Sequence, residues 1–107
     1  MSIKPAAGEV WVADLGPAAK VRPVLVLAYP QPVDARSLAV VAPLTSQIRS
    51  ARGEIALGKP SWLPKNSAVN LQGLASFDHR LLQRRLGRLN ESQIDQVKAG
   101  LRDLLNL

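Results

Sequence analysis

Arg22 stands at the entrance of "RPVLVLAY" (22–29), one of the most apolar stretches of the chain, immediately before Pro23. Thr45 and Ser46 stand at the exit of another, following "VVAPL" (40–44). A guanidinium stays protonated and offers five donors in a planar fork that suits phosphate. Hydroxyls at the end of a buried strand can orient a phosphate or a sugar. His79, the single histidine, adds a group able to do acid–base work near neutral pH. Each has a plainer role beside the chemical one. Arg22 could pair with Asp14 or lie at a sheet edge, Thr45-Ser46 could cap a turn, and His79, beside Arg80, could sit on a helix surface.

The remaining cations support an anionic partner. The chain of 107 residues carries a net charge of +6. The excess lies between residues 36 and 88, where nine basic side chains face only Glu54 and Asp78. Polyanions are the natural partners of such a surface. Arg49, Arg52, Lys59, Lys65, Arg80, Arg84, Arg85 and Arg88 include candidates for a backbone-binding groove, and others only solvate the surface. Trp62, in "PSWLPKN" (60–66), could stack on a base or plug a gap beneath its loop.

Other chemistries are excluded or unsupported. No cysteine is present, which removes disulfides and thiolate metal sites and is compatible with the cytoplasm. One histidine cannot build a histidine-rich metal centre, and no metal or cofactor is expected. No phosphate-cradling glycine loop, dinucleotide fingerprint or nucleophile elbow occurs. No apolar run reaches the roughly 18 residues of a membrane span, and "MSIKPAAGEV" lacks the apolar stretch of a secretory leader.

The elements that must position these residues are short. "GEVWVADL" (8–15) alternates Val10, Val12 and Leu15 against Glu9, Trp11 and Asp14, as a half-buried strand does. "GPAAKV" (16–21) is a loop. The run after Arg22 predicts a central strand with both faces buried and Pro23 at its start. "PQPVDAR" (30–36) is a loop, and "SLAVVAPL" (37–44) is a strand stopped by Pro43. "TSQIRSARG" (45–53) is a polar loop or helical turn, "EIAL" (54–57) a short strand, "GKPSWLPKN" (58–66) a loop and "SAVNL" (67–71) another short strand. "DHRLLQ" (78–83) predicts a short helix capped by Asp78, and "RRLGRL" (84–89) a last strand. From Asn90 the pattern is helical: Asn90 and Gln93 approximate a capping box, and Ile94, Val97, Leu101, Leu104 and Leu105 follow the 3.6 period. Gly100 costs that helix about 1 kcal/mol relative to Ala. Five or six short strands and a terminal amphipathic helix predict one domain spanning 1–107, a small, strongly curved antiparallel sheet or barrel.

The order "GEVWVADLGP", "RPVLVLA", "VVAPLTSQ", a Lys-Asn-Ser-Ala-Val strand, then "FDHRLLQRRLGRL" and a closing helix resembles the MazF/PemK toxins over residues 8–107. The resemblance implies an SH3-like, partly open antiparallel β-barrel with short helices, acting as a homodimer. It implies the toxin of a type II toxin–antitoxin pair, an endoribonuclease that cuts single-stranded mRNA without metal and is covered by the tail of a cognate antitoxin. The adjacent 2′-OH is the nucleophile and a 2′,3′-cyclic phosphate the product. Arg22 and Thr45 then become the catalytic pair. Lys20, Ser46, Gln47, Arg49, Asn70, Gln72 and His79 are the candidates for binding or supporting roles, with His79 and Asp14 also candidates for proton transfer.

One departure separates this chain from many relatives. Where they carry an aspartate-glutamine pair followed by an arginine, this sequence has Gln72, Gly73 and Ala75. Asn70 and Gln72 can hydrogen-bond but cannot titrate. That loss supports an alternative from another class, a non-catalytic binder on the same architecture: a gyrase-poisoning toxin or a plain RNA-binding module.

Overall fold

A computed structural model describes residues 4–107. The reading of the extreme amino terminus, at residues 1–3, lies outside the described residues. The elements are β1 (Glu9–Asp14), α1 (Gly16–Ala19), β2 (Val21–Ala28), β3 (Leu38–Thr45), β4 (Glu54–Gly58), β5 (Ser67–Asn70), a 3₁₀ turn (Leu71–Gly73), β6 (Ala75–Asp78), a second 3₁₀ turn (His79–Leu81), β7 (Leu82–Arg88) and α2 (Glu91–Leu105). The strands form one antiparallel sheet in the order β4-β5-β3-β2-β1-β7, with β6 paired to the first half of β3. The sheet is strongly curved and stays unclosed between β4 and β7, in agreement with the partly open barrel expected from the sequence.

Both faces of the sheet are apolar. One packs Val10, Leu25, Ala42, Val69 and Leu71 beneath Val97, Ile94, Leu101 and Leu104 of α2. The other gathers Trp11, Ala13, Val24, Val26, Ala39, Val41 and Leu82. β2 contributes to both, as its continuous apolar run predicts. β1 does too, which overturns the simple alternation expected for it. Trp11 is buried rather than outward, and so is Glu9. The Glu9 carboxylate is tolerated because it is fully engaged: Oε1 accepts from Trp11 Nε1 (3.1 Å) and from the Ala6 amide (2.8 Å), and Oε2 pairs with Arg85 (3.1 Å).

Three further expectations are corrected. Pro43 does not stop its strand. β3 runs on to Thr45 because Pro43 falls where the outer edge of β3 changes partner: β6 reaches Val41 and β5 begins opposite Leu44. A missing amide donor costs least at such a step. β6 has no counterpart among the predicted strands; "ASFD" has little apolar pattern and is ordered by pairing with Leu38–Val41. The 16–21 loop contains a single helical turn, with Pro17 near its start and Lys20 in the left-handed region (φ 63°) closing it.

The terminal helix forms as predicted, with both hydrogen bonds of the Asn90–Gln93 capping box in place. Leu105 lies half-exposed, beyond the buried stripe. Gly100 has a packing reason: a Cβ there would come within 2.7 Å of Leu71 Cδ1, so glycine lets α2 approach the sheet.

Candidate active-site cleft

β2 and β3 bring Arg22 and Thr45 to the same end of the sheet. Their ladder is antiparallel, and its last pair at that end is Val24 opposite Pro43. Two residues further along each strand stand Arg22 and Thr45. Each is held from the outside as well, Arg22 opposite Ala13 of β1 and Thr45 opposite Ala68 of β5. Both residues line a cleft of about 470 Å³. Its walls are Arg22 and Pro23, the stretch Leu44–Gln47, the loop residues Leu63–Lys65, and Ser67.

The chemistry of this lining is narrow. It holds two cations, Arg22 and Lys65, three hydroxyl groups and one amide, and no carboxylate or imidazole. Thr45 Oγ1 accepts the Gln47 amide (3.1 Å), which leaves its own O–H free to donate into the cleft. Arg22 is exposed, and among the described residues no carboxylate pairs with it. Asp14 lies one ladder step away, but its carboxylate accepts the Gly16 amide instead (3.0 Å). An unpaired guanidinium at a rigid strand end keeps its donors for an anion.

The other candidates are spread more widely. Ser46 and Gln47 belong to the cleft; Lys20, Arg49, Asn70, Gln72 and His79 are outside its lining. Lys20 ends the helical turn before β2. Arg49 lies in the loop after β3, its amide bound by Glu54 (3.0 Å). Asn70 caps the 3₁₀ turn by accepting the Gln72 amide (3.1 Å). His79 is half-buried rather than on a helix surface. Its Nδ1 is 2.8 Å from the Tyr29 hydroxyl, with the two rings edge-on. It also stands at the far end of β3, where Leu38 pairs with Asp78. Seven residue steps separate that end from Thr45, about 23 Å along the strand at the usual rise.

Of the basic residues that could line a groove, three are engaged elsewhere. Arg52 pairs with Asp103 (3.0 Å), Arg85 with Glu9 and Arg80 with Asp78 (2.7 Å). The Arg80 guanidinium, hydrogen-bonded to the Asp78 carboxylate, holds that carboxyl well below the usual range, and Asp78 raises Arg80 in turn. Trp62 plugs a gap: its ring joins the larger apolar cluster and lies against Gly87. Among the described residues, no group of three potential metal ligands comes together and no helix is long and apolar enough to cross a membrane. A second hollow of about 310 Å³, between α2 and β2, is lined almost wholly by apolar side chains and offers no comparable chemistry.

Residues 6–105 match the family of PemK-like, MazF-like toxins of type II toxin–antitoxin systems. The chain belongs to the MazF/PemK family. Among curated members, it is 35% identical to a probable endoribonuclease, MazF5, of Mycobacterium tuberculosis, over 94% of this chain and 93% of that one. It is 36% identical to the endoribonuclease MazF6 of the same species, over 92% and 95%. The MazF/PemK fold is equally clear in three dimensions. The M. tuberculosis toxin MazF-mt6 superposes with a TM-score of 0.79 at 24% identity, covering 92% of this chain and 97% of that one. A mycobacterial endoribonuclease in complex with its cognate antitoxin gives 0.80 at 22% identity, covering 96% of each.

Proposed function

We propose that this chain is the toxin of a type II toxin–antitoxin system, an endoribonuclease that cuts single-stranded mRNA without metal. The observation that carries the reading is the placement of Arg22 and Thr45 in one cleft free of carboxylates. Its family membership and the named activity of its curated relatives support it. The two cations in the lining attract a phosphate and repel a metal ion.

In the proposed reaction the 2′-OH attacks the neighbouring phosphorus and the bond from phosphorus to the 5′ oxygen breaks. The products are a 2′,3′-cyclic phosphate and a 5′-hydroxyl end. Negative charge builds on the non-bridging oxygens during attack. Arg22, fixed at the mouth of β2, stabilises that charge more in the transition state than in the ground state. The Thr45 O–H donates to the same phosphate and holds it in line. Arg22 stays protonated and makes a poor base. Proton transfer from the 2′-OH and to the leaving oxygen therefore falls to water. Ser46 and Gln47 extend the polar wall along the strand.

A cognate antitoxin, encoded nearby, is the proposed regulator, with an anionic segment covering the cationic cleft. The proposed working form is a homodimer in the cytoplasm, with residues 1–107 as one toxin domain. The lack of any titratable carboxylate or imidazole in the cleft lining favours one second reading, a toxin that binds its target without cutting.

The test is incubation of purified, antitoxin-free protein with long single-stranded RNAs of varied sequence in EDTA, beside Arg22→Ala. Cutting by the wild type alone, with cyclic phosphate at the new ends, is the expected result. Intact RNA after incubation with folded wild type transfers the assignment to the binder.

A further inference from the structure

We infer that Lys65 is a second phosphate clamp, gripping a phosphodiester next to the one that Arg22 holds. The inference rests on the proposed RNA cleft and adds to it a residue from a third segment of the chain.

Lys65 belongs to the loop between β4 and β5, which would be an unreliable place for a binding group if the loop were loose. It is pinned three times in four residues. The Trp62 ring lies so close to Gly87 of β7 that an added Cβ would come within 2.2 Å of it. Leu63, the next residue, is 3% exposed and part of the core. The carbonyl of Lys65 itself accepts a hydrogen bond from Ser67 Oγ (3.0 Å), and Ser67 is buried. The backbone on both sides of Pro64 is thus fixed, while the Lys65 side chain is exposed and lines the cleft.

Charge points the same way. Among the described residues no carboxylate pairs with Lys65, whereas Arg52, Arg80 and Arg85 are each paired. Lys65 and Arg22 are the cations of the lining, contributed by the loop wall and by the β2 mouth. Two uncompensated cations lining one cleft repel each other and are drawn to anions lying between them. A single-stranded nucleic acid supplies such anions at regular intervals. An ammonium acts on phosphate as a point charge, without the bidentate geometry of arginine, so it suits holding a strand better than stabilising a reacting centre. Lys65 is accordingly assigned to binding and Arg22 to the reacting phosphate.

The test is binding of a 2′-O-methylated single-stranded RNA of mixed sequence, which cannot be cut, followed by fluorescence anisotropy across a salt series. Each neutralised phosphate on a single strand contributes about 0.7 to the slope of log K against log salt. Lys65→Met is expected to flatten the slope by about that amount, and Lys65→Arg to restore it. In parallel cleavage of unmodified RNA, Lys65→Met is expected to raise KM with little change in kcat. A slope in Lys65→Met equal to that of the wild type, or no salt-dependent binding by the wild type, overturns the clamp. A wild type that binds with the expected slopes yet never cuts overturns the nuclease reading and leaves the clamp standing.

Discussion

The ring of Trp62 occupies the space that any side chain at position 87 would need: a Cβ on Gly87 would fall 2.4 Å from Trp62 Cε2 and 2.5 Å from Cγ. One contact thereby ties the loop before β5 to the edge strand β7. Gly87→Ala is expected to destabilise the fold by about 1–3 kcal/mol, the usual cost of overpacking. Trp62→Ala leaves a void on the larger apolar face and is also destabilising. The double variant is expected to lose less than the two single losses combined, because removing the ring makes room for the methyl. Urea titrations of the four proteins measure this. Strict additivity means that the two residues do not share the space.

Most strands were legible in the sequence because pattern and turn chemistry coincide in them. The run after Pro23 is continuously apolar, the stripe from Ile94 to Leu104 fits the helical period, and Asn90 with Gln93 marks the helix start. What escaped was set by tertiary contact. β6 is a strand because β3 pairs with it, Trp11 is buried because it packs with Val24, Val26 and Leu82 on the second apolar face, and Pro43 is tolerated because two neighbours meet there. The site follows the same division. Arg22 and Thr45 were legible as strand ends, although nothing local says that β2 and β3 are adjacent and in register. Lys65 looked like any of eight basic residues until the packing of Trp62 and Leu63 fixed the loop beneath it.

Arg22→Ala is expected to slow RNA cleavage by about 10²–10³-fold, the usual cost of removing a fixed donor to a developing oxyanion. Arg22→Lys is expected to recover little, since an ammonium cannot reproduce the planar fork. Arg22 is exposed and outside every ion pair among the described residues, so both variants should melt like the wild type. Single-turnover cleavage beside thermal melting separates the two effects. A variant that melts early would attribute the lost activity to the fold.

At Thr45 the hydroxyl accepts one hydrogen bond and has one left to give. Thr45→Val keeps the shape and removes both. It is expected to lower kcat about tenfold or more, with less change in KM, because orientation counts most in the transition state. Thr45→Ser retains the hydroxyl and is expected to stay within a few-fold of the wild type. A loss in Thr45→Ser with none in Thr45→Val would point to the β-branched packing of residue 45 instead.

Asp78 and Arg80 give a pH signature away from the cleft. The guanidinium depresses the folded-state Asp78 pKa, so the unfolded chain binds a proton that the folded chain refuses. The resulting stabilisation is present above the unfolded carboxyl pKa of about 3.9 and fades as pH falls below it. Arg80→Ala is expected to lower Tm near neutral pH and by progressively less as pH falls from 4 toward 2, where the carboxyl is protonated in the unfolded chain but still largely ionised in the folded one. The exposed position keeps the effect small. A constant Tm difference across that range means the pair does not titrate.

His79 is the severest check on where the reaction occurs. Its Nδ1 is bound to the Tyr29 hydroxyl, and it occupies the end of β3 opposite Thr45. A side chain about 23 Å along the strand cannot pass a proton directly to a phosphate held by Arg22. His79→Phe keeps an aromatic ring against Tyr29 and removes both ring nitrogens. Cleavage by this variant is expected to match the wild type within about twofold from pH 6 to 8. A hundredfold loss in a folded His79→Phe protein would mean that the scissile phosphate lies at the Tyr29 end of the sheet, and that the cleft at Arg22 and Thr45 serves only to bind.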